Sequence, residues 1–227
     1  MPFEETDLPG AVVTGNPVRE EILAVAADRD PVAARRTLGL PDGRTVVVVF
    51  AGSLGSRRIN EAVYDALPAW AGRSDLAVHH VVGSRDWDDR PDGARREPSS
   101  GEPDGLWYRA VRYEDRMDLV LAAADLAVCR AGGTTVAELA VLGVPAVLVP
   151  LPIATRDHQS ANAGPLVRAG AAVLVPDAEL DATRLVAEVD GLLAGDLAAR
   201  SDAARSLGRP AAAAAVADLV ETHARPR

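Results

Sequence analysis

The stretch VCRAGGTTVAELAVLGVPAVLVPLP, Val128–Pro152, decides how this chain folds. Leu126–Cys129 is a short apolar run that reads as a buried strand. Two glycines follow, then Thr134–Leu142 reads as a helix, and Pro145–Val149 as a second strand. A strand, a glycine turn, a helix and another strand in so few residues make one parallel unit.

The same unit recurs on both sides. Upstream, Thr45–Ala51 (TVVVVFA) is a continuous β-branched run, as expected of a central parallel strand covered on both faces. It runs into Gly52-Ser53-Leu54-Gly55-Ser56, and a helix follows from Arg57 to Trp70. Leu76–Val82 and Leu106–Val111 read as further strands, and Arg116–Ala124 as a helix. Downstream, a helix over His158–Ala169 precedes a strand at Ala172–Val175. From Asp181 onward the chain reads as helical, with a break at Gly208-Arg209-Pro210. Near the start, Pro17–Ala27 has helical spacing, Pro41-Asp42-Gly43 is a turn, and residues 1–14 read as an irregular linker. Ser84–Gly105, rich in Pro, Gly, Asp and Arg, reads as a long surface loop. The expected fold is α/β: a doubly wound parallel sheet, Rossmann-like, occupying residues 15–227. Ligands of such sheets bind at the carboxyl ends of the strands, here after Ala51, Val111, Cys129 and Val149.

Composition narrows the functions these loops can serve. The chain has 227 residues and a net charge of −9 with no basic tail, which argues against nucleic acid. Its one cysteine, Cys129, excludes an internal disulfide and reads as a small core residue. The opening residues Met1-Pro2-Phe3-Glu4-Glu5 show no signal peptide, and no apolar run reaches membrane-spanning length. A cytoplasmic location is therefore expected, or a peripheral one on the cytoplasmic face of the plasma membrane.

Each loop admits a bland reading and a chemical one. Gly52–Ser56 fits a tight strand-to-helix turn as well as an anion cradle. It is neither a dinucleotide fingerprint nor a Walker A loop. The amides of Gly133, Thr134 and Thr135 open a helix and would face a diphosphate. Glu138 either accepts hydrogen bonds from ribose hydroxyls or completes a capping box with Thr135, and residues alone favour the cap. Asp157 reads as the cap of its helix, with His158, Gln159 and Asn162 crowding the first turn. Arg19 reads as an ordinary surface arginine or a phosphate ligand. Asp86-Trp87-Asp88 matches a cation-binding D-x-D pattern, but its setting suits a solvated loop better. Of His79 and His80 in the Leu76–Val82 run, one is expected to face the core and the other not.

Together TGNPVREEI (Thr14–Ile22), AGSLGSRRIN (Ala51–Asn60), Val128–Pro152 and DHQSANAGPLVRAGAA (Asp157–Ala172) closely resemble, in order and spacing, the C-terminal donor-binding domain of the MurG family of GT-B glycosyltransferases. That resemblance implies an inverting transfer of GlcNAc from UDP-GlcNAc to undecaprenyl-linked lipid I, giving lipid II for peptidoglycan. It implies that Arg19, Ser53 and the Gly133-Thr134-Thr135 backbone hold the diphosphate and that Glu138 holds the ribose. Gln159 and Asn162 would contact the GlcNAc ring with His158 beside them, and the segment containing Tyr113, Glu114 and Met117 would hold the uracil. No metal and no further cofactor are implied. Two residues depart from the family pattern: Ala51 replaces a glycine, with a slight crowding of the phosphate loop expected, and Glu114 replaces a common apolar residue. The acceptor site and the catalytic base are expected on an N-terminal domain or separate subunit outside this chain. The alternatives are a UDP-sugar-binding module without activity of its own, and another GT-B enzyme such as a UDP-GlcNAc 2-epimerase.

Overall fold

The computed structural model describes residues 10–95, 105–152 and 157–224. Strand β1 (Thr45–Phe50) carries the logic of the whole sheet. Val46, Val48 and Phe50 enter one hydrophobic cluster, and Val47 and Val49 enter another. A strand apolar on both faces needs cover on both, so helices must pack above and below it.

They do. Helices α1 (Glu20–Ala27), α2 (Pro31–Leu38), α4 (Met117–Ala123), α5 (Gly133–Leu142), α6 (His158–Arg168) and α8 (Leu197–Ser206) contribute buried residues to the first cluster. Helices α3 (Arg57–Trp70) and α7 (Ala182–Leu193) form the other layer. The last helix, α9 (Ala212–His223), buries only Ala212 among its residues. Between the layers lies a six-stranded sheet in the order β3-β2-β1-β4-β5-β6, with every pair parallel. The remaining strands are β2 (Leu76–Val81), β3 (Trp107–Val111), β4 (Leu126–Cys129), β5 (Ala146–Leu148) and β6 (Ala172–Leu174). This is the Rossmann strand order, and its direction of winding reverses between β1 and β4. Phe50 pairs with Cys129 in register, so the loops that begin at Ala51 and Arg130 leave the sheet at one level and turn apart.

The expected fold class is met, with local differences. The sequence reading passed over α2, although its ends are marked. Asp30 caps it by accepting from the Ala33 amide at 3.0 Å, Pro31 opens it, and Gly39 closes it in a left-handed conformation. The C-terminal helical run also breaks between α7 and α8, where the Asp196 side chain caps a new helix. Ser84–Gly105 is not simply a surface loop. Asp86 and Ala94 are buried, and the Arg90 guanidinium stacks 3.1 Å from the Trp87 ring centroid. Residues 96–104 of that stretch, residues 1–9 of the linker, and residues 153–156 before α6 lie outside the described residues. Cys129 is fully buried, as expected, and burial pushes its thiol up, away from reactivity.

Both histidines of β2 are buried, which corrects the expectation that one would be solvated. With helices on both faces, alternation along the strand only exchanges one core for the other. His80 faces the α3 layer, where its Nδ1 lies 3.0 Å from the Tyr108 hydroxyl and its Nε2 lies 2.9 Å from Asn60 Oδ1. Asn60 Nδ2 donates in turn to the Val82 carbonyl and to Asp86 Oδ2, each at 3.1 Å. Asp86 also accepts from Arg85, which holds its carboxyl below the usual range. The D-x-D aspartate is thus spent on a buried network, which corrects its reading as solvated.

Burial lowers the His80 imidazole from 6.5 to about 3. Between those values the unfolded chain binds a proton at this site and the folded chain does not. The stability contribution is therefore complete above about pH 6.5 and is lost as pH falls toward about 3. In denaturant titrations across that window, His80→Gln is expected to flatten the fall in unfolding free energy by about 1 kcal/mol per pH unit. An unchanged slope would show that His80 takes up its proton in the folded state.

Candidate nucleotide-diphosphate site at the sheet's switch point

Where the loops after β1 and β4 part, a cavity of about 240 Å³ opens. Arg19, Phe50, Gly52, Ser53, Val81, Tyr113, Glu114, Met117, Thr134, Thr135 and Glu138 line it. The sequence places these residues far apart. The sheet brings them together because four segments end at one edge: the approach to α1, the β1 loop, the β3–α4 turn and the start of α5. A larger cavity of about 510 Å³ lies elsewhere, between residues 12–14 and α9, away from the carboxyl ends of the strands.

Helix α5 starts at Gly133 with Gly132 as its cap residue, and no side chain bonds that cap. The Gly133, Thr134 and Thr135 amides are therefore first-turn donors with no acceptor inside the helix. They carry the positive end of the helix dipole. This start also removes the capping-box reading of Glu138. Thr135 is the third helical residue, not the cap, so the spacing on which the box depends is absent. Glu138 instead turns inward, 5% exposed, and Oε1 accepts from Arg19 Nε at 2.8 Å. Arg19 is likewise more than a surface arginine, although half of its side chain remains exposed.

The phosphate-type loop is braced from both sides. Gly52 and Gly55 both take positive φ, and the Gly55 amide donates to the Gly52 carbonyl at 3.1 Å. Gly55 packs backbone to backbone on Val82-Gly83, and the Ser84 amide donates to the Ser53 carbonyl at 3.0 Å. On the other side Arg130 Nη2 donates to Ser56 Oγ at 2.7 Å. Its Nη1 donates to the Val149 and Pro150 carbonyls at 3.2 and 3.0 Å and lies 2.5 Å from Asp177 Oδ1. Arg130 thus ties the ends of β1, β4 and β5 to the turn after β6. Sequence reading passed over it, as it did Asn16, whose Nδ2 donates to Thr134 Oγ1 at 3.3 Å. Asn16 lay within a quoted motif; Arg130 sits beside the glycines, and only its distant acceptors distinguish it. Ala51 packs its methyl against the α3-side core and does not line the cavity. The expected crowding at that departure does not arise.

The α6 residues stand apart from this cavity. Asn162 Nδ2 donates to the Ala131 carbonyl at 3.1 Å, beside Gly133. Gln159 Oε1 accepts from the Leu151 amide at 3.0 Å. These bonds hold the start of α6 against the β4 and β5 loops, next to the α5 end of the cavity. His158 is exposed at the first turn. Asp157 occupies the cap position in a left-handed conformation, but its carboxylate accepts from Ser160 Oγ at 2.7 Å and caps no amide. That corrects the reading of Asp157 as a side-chain cap. Among the described residues no cluster of histidine, cysteine and carboxylate groups suits a metal ion.

A Rossmann-type sheet with an open helix start, a braced glycine loop and an inward carboxylate at its switch point makes a candidate site for a nucleotide diphosphate. The comparisons narrow that class. The family model of the glycosyltransferase family 28 C-terminal domain matches residues 46–222, and the chain belongs to this family. It is 43% identical over 208 residues to the UDP-N-acetylglucosamine–N-acetylmuramyl-(pentapeptide) pyrophosphoryl-undecaprenol N-acetylglucosamine transferase of Salinibacter ruber, covering 91% of this chain and 53% of that one. To the enzyme of the same name from Mycobacterium avium it is 44% identical over 213 residues, covering 92% and 50%. The crystal structure of Acinetobacter baumannii MurG superposes with a TM-score of 0.75 at 28% identity, covering 97% of this chain and 58% of that one. The chain spans about half the length of the curated relatives it matches.

The brace on the glycine loop is testable. At Gly55, φ is +83° and an added Cβ would lie 2.0 Å from the Val82 carbonyl oxygen. Gly55→Ala is expected to cost at least about 2 kcal/mol in thermal or denaturant unfolding, since it combines backbone strain with overpacking. Gly52→Ala has the same φ penalty but open space around its Cβ, and should cost about 1 kcal/mol.

Proposed function

We propose that this chain is the donor-binding half of an inverting GlcNAc transferase that moves GlcNAc from UDP-GlcNAc to undecaprenyl-linked lipid I. The observation that carries the proposal is the position of Glu138. It is a buried carboxylate inside the cavity, freed from any capping role and one helical turn beyond three amides that have no partner among the described residues. That arrangement suits a ribose followed by a diphosphate.

In this reading Glu138 keeps Oε1 on Arg19 and offers Oε2 to the ribose hydroxyls. Arg19 bonds Glu138 through Nε, which leaves its terminal amino groups for the diphosphate. Ser53 and the Gly133-Thr134-Thr135 amides complete the diphosphate cradle. Tyr113, Glu114 and Met117 form the base side, and Gln159, Asn162 and His158 meet the sugar. As the glycosidic bond breaks, negative charge builds on departing UDP. The start of α5 and Arg19 stabilise it without a metal ion. Their cradle is fixed before the reaction by the braces on the glycine loop, so little reorganisation accompanies bond cleavage.

Deprotonation of the acceptor hydroxyl belongs elsewhere. Among the described residues no histidine lines the cavity, Glu138 is already paired with Arg19, and the named relatives have about as much chain again. The acceptor site and base are assigned to a second domain or subunit that closes over this one. Residues 15–227 form the donor domain of that assembly. Association with a membrane surface would follow from the lipid acceptor; among the described residues no helix is long and apolar enough to cross a membrane.

Glu138→Ala is expected to weaken UDP binding, measured by calorimetry, by about 1–3 kcal/mol, the range for hydrogen bonds to a charged group. Unchanged affinity would overturn the ribose assignment. In a turnover assay with UDP-GlcNAc and lipid I, this chain alone should be inactive until a second domain is supplied. Unaided turnover would overturn the division of labour.

A further inference from the structure

Two oddities meet at the base side of the cavity. Glu114 is an acidic residue in a wall otherwise built from Phe50, Val81, Tyr113 and Met117. Beneath it His79 is fully buried on β2, and among the described residues its Nε2 has no hydrogen-bond partner. Arg109, its register neighbour on β3, donates from Nε to His79 Nδ1 at 3.4 Å. An arginine Nε only donates, so Nδ1 is the acceptor and the imidazole proton sits on Nε2. That Nε2–H lies 3.7 Å from Glu114 Oε2. The other carboxylate oxygen accepts from the Arg116 amide at 3.0 Å, across the same turn.

The charged groups facing the pair are Arg109 from β3 and the two partners themselves; Val48, the register neighbour on β1, is apolar. Burial pushes the His79 imidazole down, so it is neutral at neutral pH. His79 and then the Arg116 amide hold the Glu114 carboxyl below the usual range, against its partial burial, so that partner is ionised. A buried donor and a mostly buried acceptor thus form one unit. Removing either leaves the other's facing atom, His79 Nε2 or Glu114 Oε2, without its counterpart.

We propose that His79 is a positioning residue: through Glu114 it holds the turn of residues 112–116 against the sheet and so sets the wall on which a donor nucleobase rests. The role in donor binding rests on the reading given under the proposed function. The role in holding the turn does not.

A double-mutant cycle separates them. His79→Met leaves Glu114 Oε2 facing no donor, and Glu114→Met leaves the imidazole donor facing no acceptor. Each is expected to weaken UDP binding about five- to tenfold. The double variant replaces both with apolar groups, so its loss should be smaller than the sum of the two single losses. His79→Gln, whose Nε2 can reach the same oxygen, should restore binding. Amide NMR shifts of residues 112–116 in the ligand-free chain should move in both Met single variants and return in the other two. Losses that add in the double variant, or wild-type affinity and shifts in His79→Met, would overturn the proposal. Should His79→Met fail to fold, Glu114→Met and its repair by the second substitution carry the same comparison. A parent chain that binds no UDP would overturn the donor-site reading, while the turn shifts would still decide whether His79 holds the wall.

Discussion

The pairing of β1 with β4 is the constraint from which the site follows. Winding proceeds from β1 outward to β2 and β3 on one side, and from β4 to β5 and β6 on the other. At that reversal the connections on either side run to opposite layers, and a crevice opens at the carboxyl edge. The register of Phe50 with Cys129 sets the glycine loop and the start of α5 side by side at its mouth. Had the strands paired in another order, the same two glycine turns would cap ordinary helices far apart.

A crevice between loops is useful only if the loops keep their shape. Here the stiffness comes from polar groups taken out of water. Arg130 gathers acceptors from three loops, and the Tyr108–His80–Asn60–Asp86 chain anchors the segment on which Gly55 rests. Buried polar groups are costly unless satisfied, so such networks admit few alternative arrangements. They place backbone groups at fixed positions for an anion, whereas an apolar core of similar volume tolerates sliding.

Charge is distributed in the cavity with the same economy. In the proposed donor site the anion-facing elements are a helix terminus and one arginine, neither of which needs to be built anew when a ligand arrives. The two carboxylates, Glu138 and Glu114, are each tied to a partner, Arg19 and the His79 side respectively. In the proposed donor site this keeps negative charge from repelling a diphosphate while leaving Glu138 Oε2 as an acceptor for hydroxyl groups. The net charge of −9 therefore does not conflict with an anion site, because the local field is set by groups within a few ångströms.

The sequence by itself determined the fold class and the position of most strands and helices. Unbroken apolar runs such as Thr45–Ala51 can be satisfied only between two helical layers, and that follows from composition and order. It also marked the glycine loops, and their ordered resemblance to one family singled out Glu138 and Arg19, which local reasoning assigned to a cap and to the surface. The tertiary structure decided what local pattern leaves open. Thr135 and Glu138 have capping-box spacing whether or not the helix starts there; only the start at Gly133 shows that it does not. Asp86, His79 and His80 look like a loop acid and an alternating pair, but helices on both faces bury all three. Arg130 gives no signal in its own neighbourhood, because its acceptors at Ser56, Val149, Pro150 and Asp177 come together only when the sheet closes. Periodicity and turn chemistry act over a few residues and are written into the sequence. Burial, pairing and hydrogen-bond partners are set by contacts between distant segments, and they exist only in the folded chain.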